Sequence, residues 1–313
     1  MEGRYSKIKN YIDLHIHSKY SDDGEYTPAQ LVEMCEEKGI RIMALADHNT
    51  AEGVLEAKKR AEELGICLIP AVEIDCTYRG VNLHVVGYGI DEKSREIREL
   101  YSNIYRQEKE LSMKKVELTR NLGFEVTKEE LDRLSDNGVY TGEMFGEVIL
   151  AKKEYADHAL LKPYRNGGSR SDNPYVNFYW DFYAPGKPCY TEVKFPTLEE
   201  IVRLIHQQGG KAVLAHPGIN LKNCPQLFDE MMKETPLDGV EAFSNYHDEK
   251  TVEHYYKKGK SYKIMITCGS DFHGKTKPAI DLGECRCPYD EEFIENSLKK
   301  YNLIFDPMIH EIH

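Results

Sequence analysis

The run YIDLHIHSKYSDD, residues 11–23, closes an apolar stretch with His15 and His17 and places Asp22 just beyond. In an extended chain residues i and i+2 point to the same side, so both imidazoles would leave a strand on one face and could converge on one point. That geometry suits a metal ion, although two hydrogen-bonded histidines near a strand end would look the same in isolation. The same residue types recur where other apolar runs stop. Asp47 and His48 follow IRIMALA, Glu73 stands in ICLIPAVEI, and His84 opens LHVVGYGI. His216 lies in LAHPG, and Asp271 and His273 lie in CGSDFHG. Six of the twelve histidines occupy these positions. Loops after the strands build the active site of α/β barrels, so the recurrence points to one shared site. Asp13 and Asp47 sit beside these residues, either as groups that orient imidazoles or as ordinary strand-end aspartates.

The elements needed to position them are legible in the pattern. YIDLHI, IRIMALAD, ICLIPAVEI and LHVVGYGI read as strands. A helix opens between the first two at Thr27-Pro28, with Gln30 completing a capping box, Leu31, Met34 and Cys35 forming its buried stripe, and Gly39 ending it. A second helix, roughly 51–64, stops at Gly65. This alternation predicts an α/β fold with a parallel sheet. From about residue 93 to 190 the rhythm breaks into a long charged helix, SREIRELYSNIYRQEKELSMKKVELTRNLG, and a short strand or turn with a helix at FEVTKEELDRL. A stretch rich in Gly, Pro, Asn and aromatics follows, with the single tryptophan, Trp180. Alternation resumes with a helix capped by Thr197 and Glu200, then strands at KAVLAH, PLDGVEAF and KIMITCGSD. The expected organisation is a barrel domain of residues 1–92 and 191–313, with 93–190 inserted as a mainly helical cap.

Composition narrows the function classes. In 313 residues with a formal net charge of −12, a broad basic face for nucleic acid is not expected. No window is apolar enough to span a membrane, and the polar start MEGRYSKIKN lacks the core of a secretory signal, so the sequence reads as cytoplasmic. Eight cysteines are too sparse for a disulfide framework. The pair Cys285 and Cys287 reads as incidental thiols on a strand, since no second pair completes a tetrahedral site.

Taken in order, H-I-H-S-K-Y-S-D-D-G, A-D-H-N-T, a Glu about 25 residues on, a His about 11 further, L-A-H-P-G and G-S-D-F-H resemble the PHP (polymerase and histidinol phosphatase) superfamily, in its stand-alone metal-dependent phosphoesterase branch. The resemblance covers roughly residues 11–90 and 197–283. It implies a distorted (β/α)7 barrel holding three divalent cations. His15, His17, Glu73 and Asp271 would bind one ion. Glu73, as a bridge, with His84 and His216 would bind a second, and Asp22, His48 and His273 a third. Imidazole and carboxylate ligands suit Mn, Zn or Fe. Three dications against three carboxylates leave a positive cluster, the complement of a phosphate dianion. The expected reaction is phosphoester hydrolysis by in-line attack of a metal-bridging water as hydroxide, with Asp22, Glu73, Asp271 and His273 as the residues carrying catalysis.

Relatives in this branch remove the 3'-phosphate of 3',5'-bisphosphonucleosides or trim short oligonucleotides, so a small phosphorylated substrate of that kind is expected. Five residues are candidates to touch it: Arg79 in TYRGVNLH, His247 in EAFSNYH, Lys275 just after D-F-H, and Arg165 and Arg170 flanking Gly-Gly in the insertion. Arginine there would suit bidentate phosphate binding, and a solvated turn is the other reading for Arg79. Lys277 has the same standing as Lys275. The stretch YVNFYWDFY either stacks a base or forms the insertion's own core. Where the branch often carries an Arg-Pro-His-like segment this chain has TGEMFGEVIL, which leaves the nucleotide substrate open. Histidinol-phosphate hydrolysis, which an acidic pocket wall would favour, and cyclic-phosphate diester hydrolysis are the neighbouring alternatives. An amidohydrolase, which also begins with H-x-H, and a non-catalytic metal-binding module are the remoter ones.

Overall fold

The computed structural model describes residues 11–135, 137–289 and 291–304. The segment MEGRYSKIKN and the histidines His310 and His313 lie outside them. Among the described residues seven strands hydrogen-bond in chain order in one sheet: β1 (Ile12–Ile16), β2 (Ile42–Leu45), β3 (Cys67–Tyr78), β4 (Val81–Tyr88), β5 (Lys211–Leu214), β6 (Gly239–Ser244) and β7 (Met265–Gly269). The chain beyond β7 returns to β1, where His17 N donates to Phe272 O at 3.0 Å and Asp271 N donates to His15 O at 2.9 Å. The barrel is thereby nearly closed. β1, β2, β6 and β7 are buried along their whole length, which is why their sequences read as continuous apolar runs. Each fully buried Leu, Ile or Val there contributes roughly 1.5–3 kcal/mol.

One expectation changes. The sheet is mixed, because β4 runs antiparallel to both β3 and β5. No helix separates β3 from β4. Instead Arg79 and Gly80, with φ of 48° and 78°, make a two-residue turn of the kind that matches strand twist. Because β4 runs against its neighbours, its start lies at the rim where they end, and His84 pairs across from Asp75 of β3.

Helices α1 (Pro28–Lys38) and α2 (Val54–Leu64) follow the sequence reading closely. Thr27 and Gln30 form the capping box on α1, and Gly39 and Gly65 end the two helices in the left-handed conformation. Between β4 and β5, in the long segment expected as an insertion, lie the 27-residue α3 (Arg95–Asn121), α4 (Lys128–Asp132), α5 (Gly142–Ala151) and α6 (Pro174–Phe182). These elements enclose an apolar cluster of their own that includes Val116, Phe124, Phe145, Phe178 and Tyr183. Of the stretch YVNFYWDFY, Phe178 is buried in that cluster while Trp180 is exposed. The barrel then resumes with α7 (Leu198–Gln207), the short α8 (Pro217–Asn220), α9 (Leu227–Glu234), α10 (Glu249–Tyr262) and α11 (Glu292–Lys300). Cys285 and Cys287 are not on a strand, and all eight cysteines are free thiols. Among the described residues no helix is long and apolar enough to cross a membrane.

Candidate metal centre

Glu73, fully buried on β3, is the hub. Its Oε2 lies 3.1 Å from His15 Nε2, 3.2 Å from His17 Nε2 and 3.3 Å from His48 Nδ1. Its Oε1 lies 3.0 Å from both His84 Nδ1 and His216 Nε2. Five imidazoles from β1 and the residue just after it, the loop after β2, β4 and the loop after β5 therefore surround one carboxylate. Asp271 Oδ1 adds a second carboxylate oxygen, 3.1 Å from His17 Nε2, and the His273 ring stacks on that of His17 at 4.0 Å. Residues from far-apart strand ends thus meet as expected.

Asp22 is the exception. Its carboxylate accepts a hydrogen bond from Asn137 of the insertion at 2.6 Å, and its neighbour Asp23 faces the cluster with Oδ2 3.2 Å from His273 Nε2. A glycine follows. Gly24 packs so closely on the Ser18 carbonyl that a Cβ would stand 2.0 Å from its oxygen, so this turn admits only glycine there, and Asp23, the residue just before it, faces the cluster. Counting back from that glycine would have selected Asp23.

Hydrogen bonds behind the imidazoles decide which nitrogen faces inward. Ser21 Oγ donates its proton to Asp47, so at 3.0 Å it can only accept from His17 Nδ1–H, which leaves the Nε2 lone pair aimed at Glu73 and Asp271. His15 Nδ1 donates to Glu241 at 2.8 Å, His216 Nδ1 to Asn220 Oδ1 at 2.8 Å and His273 Nδ1 to the Asp271 carbonyl at 2.9 Å. His84 donates from Nε2 to Asp75 at 3.0 Å and turns Nδ1 inward. Asp75 is held in turn by Asn49, whose amide donates to Oδ2 at 2.6 Å. Asp47 therefore acts on His17 through Ser21, whereas Asp13 braces backbone, accepting from the amides of Ser270 and Gly283 at 2.9 and 2.8 Å. Glu241, Asp75 and Ser21 were not visible as partners in the sequence, because nothing in their spacing links them to the histidines they orient.

Lone pairs facing carboxylate oxygens repel unless a cation lies between them. His15 Nε2, His17 Nε2, His48 Nδ1, His273 Nε2, Glu73 Oε2 and Asp23 Oδ1 are all buried without a hydrogen-bond partner, which is costly for polar atoms and is relieved by a metal ion. Ligand atoms of His15, His17, Glu73 and Asp271, of Glu73, His84 and His216, and of His17, His48 and His273 each lie within 4.8 Å of one another. The residues fit divalent ions. The backbone carries strain at the same place, since Asn49, His216 and Asp271 all have left-handed φ values of 59°, 22° and 59°.

The charges respond to this crowding. With no cation bound, burial opposes a charged His15, but Glu73, Glu241 and Asp271 outweigh it and raise its pKa, and Glu73 and Asp75 do the same for His84, so that a proton takes the place of the ion. Burial and the neighbouring His273 and His48 push His17 down to about 4. Glu73 stays well below the usual carboxylate range despite burial, held there by the surrounding imidazoles, and so does Asp271, held there by Lys277 and then by His273 and His15.

The residues expected to touch substrate are placed differently. The Arg79 guanidinium pairs with Glu230 and Glu234 of α9. Arg165 donates to the carbonyls of Leu150 and Tyr155, and Arg170 grips Asp181 with two hydrogen bonds, so both serve the insertion itself. His247 is buried with Nδ1 donating to Ala242 O and Nε2 accepting from Gly218 N, which leaves neither nitrogen for a ligand. Lys275 reaches Glu147 of α5 at 3.1 Å, at a cavity lined also by Asp22, Asp23, Glu143 and Tyr175.

A barrel with this His/Glu/Asp centre at its strand ends is that of a metal-dependent phosphoesterase. The chain belongs to the PHP domain family, whose model matches residues 13–181. It is 27% identical over 268 residues to a phosphoribosyl 1,2-cyclic phosphate 1,2-diphosphodiesterase of Eggerthella lenta, covering 84% of this chain and 94% of that one. It is 26% identical over 278 residues to a 3',5'-nucleoside bisphosphate phosphatase of Chromobacterium violaceum, covering 87% and 90%. The solved structure of a candidate metal-dependent phosphoesterase from Bifidobacterium adolescentis has the same fold, with a TM-score of 0.75 at 24% identity over 95% of this chain and 97% of that one.

Proposed function

We propose that the protein hydrolyses the phosphate ester of a small nucleotide-like metabolite, with the 3'-phosphate of a 3',5'-bisphosphonucleoside or the end of a short oligonucleotide as the first candidates. The observation that supports this is the set of imidazole lone pairs turned onto Glu73 and Asp271 by outer hydrogen bonds. The likeness to a nucleoside bisphosphate phosphatase over most of both chains favours the substrate class.

Three ions of Mn, Zn or Fe suit the donor set. His15, His17, Glu73 and Asp271 would hold one, Glu73, His84 and His216 a second, and His48 and His273 with Asp23 a third. Bound there, divalent ions supply Lewis acidity and concentrated positive charge. The protein's own groups make that charge indispensable: Asp23, Glu73, Asp75, Glu241 and Asp271 are five carboxylates with Lys277 as the one lysine or arginine paired to them among the described residues. A phosphate dianion would be repelled from such a site without added cations.

The acidic wall supplies a specific reason to keep a second reading. Asp22, Asp23, Glu143 and Glu147 line the cavity between barrel and insertion, and such a surface would suit an amine-bearing phosphomonoester such as histidinol phosphate. Both readings are tested by assaying Mn²⁺-loaded protein against a 3',5'-bisphosphonucleoside, a short oligonucleotide, histidinol phosphate and a cyclic phosphate ester. Turnover of a nucleotide substrate is expected, reduced at least about 100-fold in His17→Ala, which corresponds to roughly 2.7 kcal/mol of barrier. Turnover of histidinol phosphate alone would select the second reading, and metal-dependent turnover of none would reject both.

A further inference from the structure

Lys277 follows the D-F-H motif by four residues, and a short 3-10 turn at Gly274–Thr276 folds it back toward the site. Its Nζ lies 2.6 Å from Asp271 Oδ2, and its side chain is 12% exposed. Tyr246, in the loop after β6, donates its hydroxyl to the same oxygen at 2.6 Å, and Nζ lies 5.5 Å from the Tyr246 ring centroid. The Tyr246 ring in turn stands edge-on to His216 at 5.9 Å.

Asp271 is therefore divided. Its Oδ1 faces His17 and His15, while its Oδ2 is claimed by two donors from the opposite side. An ammonium has three N–H groups; Asp271 takes one and the Tyr246 hydroxyl lies within reach of a second, which leaves a third for a ligand. A lysine needed only to neutralise Asp271 could do so from solvent on a long stem. Here the charge is instead brought under cover at the rim of the metal centre, where ordering a long lysine side chain has an entropic cost. Every other lysine or arginine expected near substrate is paired elsewhere, with Glu230 and Glu234, with Asp181, with backbone carbonyls or with Glu147.

We propose that Lys277, held in place by Tyr246 and Asp271, is the side chain that binds a phosphoryl oxygen of the substrate. The proposal rests on the phosphoesterase reading and deepens it, since it names the protein cation that completes the anion site. Lysine acts here as a point charge with rotatable donors, which a tetrahedral phosphate can meet from several directions.

The experiment compares wild type, Lys277→Met and Lys277→Arg, all loaded with Mn²⁺, by inorganic phosphate titration in a calorimeter, by steady-state kinetics and by bound metal per chain. Lys277→Met is expected to weaken phosphate binding about 10- to 100-fold and to raise KM more than it lowers kcat. Metal content and Tm should stay at the wild-type level, and Lys277→Arg should restore part of the phosphate affinity. Phosphate binding within twofold of wild type in Lys277→Met would overturn the proposal, and so would a fall in metal content that accounts for the loss, because Lys277 would then only support Asp271. A wild type that binds phosphate through Lys277 but turns over no ester would leave this inference standing and reject the proposed function. An ester hydrolysed equally well by wild type and by Lys277→Met would do the reverse, and a wild type that neither binds phosphate nor hydrolyses an ester would overturn both.

Discussion

At the scale of single residues, the centre depends on groups one step behind the ligands. Glu241 shows this most directly. It is fully buried on β6, its Oε2 accepts from His15 Nδ1 at 2.8 Å, and its Oε1 accepts from the His216 backbone amide at 3.2 Å. One carboxylate therefore fixes the tautomer of one inward-facing imidazole and the backbone that carries another. Glu241→Gln keeps the size but puts an amide N–H₂ where one of two acceptors is needed. Outer partners of metal-bound histidines are typically worth 10- to 100-fold in affinity. Manganese affinity of Glu241→Gln, measured by calorimetry, should fall within about that range while the far-UV spectrum stays unchanged. Affinity equal to wild type would mean that His15 needs no such partner. Asp75 plays the matching part for His84, with Asn49 steadying it from the loop after β2.

At the scale of elements, strand ends must approach more closely than ordinary side chains permit. Gly269 ends β7 beside β1, and a Cβ there would stand 2.2 Å from His15 Cβ and 2.9 Å from Glu241 Oε2. Gly269→Ala must push β7 and β1 apart at the one seam that closes the barrel. Overpacking of this kind commonly costs about 1–3 kcal/mol. We expect the unfolding free energy from urea titration to fall by about that amount, together with reduced metal per chain, and a variant with wild-type stability and metal content would show that the seam yields freely. The same closeness explains what the sequence could and could not disclose. The H-x-H pair, Glu73 and the S-D-F-H segment were readable because ligand types cluster where apolar runs stop, and the capping boxes at Thr27 and Thr197 were readable because they are local. The reversed β4 was marked only by the missing helix around Arg79-Gly80. The partners of Arg79, Arg165 and Arg170 could not be read at all, since a guanidinium on the surface and one gripped by a distant carboxylate have the same local sequence. Asp22 and Asp23 were separated by a single close contact at Gly24, which no spacing rule reports.

At the scale of the whole molecule, the segment between β4 and β5 meets the barrel through the start of α3, where Ile97 joins the barrel core, and through polar contacts: Lys275 to Glu147, Asn137 to Asp22, and Asn173 Oδ1 accepting from Ala279 N at 3.1 Å. Glu143, in the first turn of α5, lines the cavity at this junction. Burial first, and then the charge of Asp23, push its pKa from the ordinary 4.5 up to about 7. The sign of the consequence follows from proton uptake. Between pH 4.5 and 7 the folded chain keeps a proton on Glu143 that the unfolded chain has released, so this group's contribution is complete below the unfolded value and is lost as pH rises through 7. Full conversion of the shift would give about 3 kcal/mol, and the partial exposure of Glu143 reduces that to roughly 1–2 kcal/mol. Glu143→Gln cannot ionise and escapes the loss. In metal-free protein, urea unfolding at pH 5 and pH 8 should therefore show the variant gaining on wild type by about 1–2 kcal/mol at the higher pH. A difference that stays constant, or that favours wild type at pH 8, would mean that Glu143 is open to solvent and that the insertion does not seal this side of the metal centre.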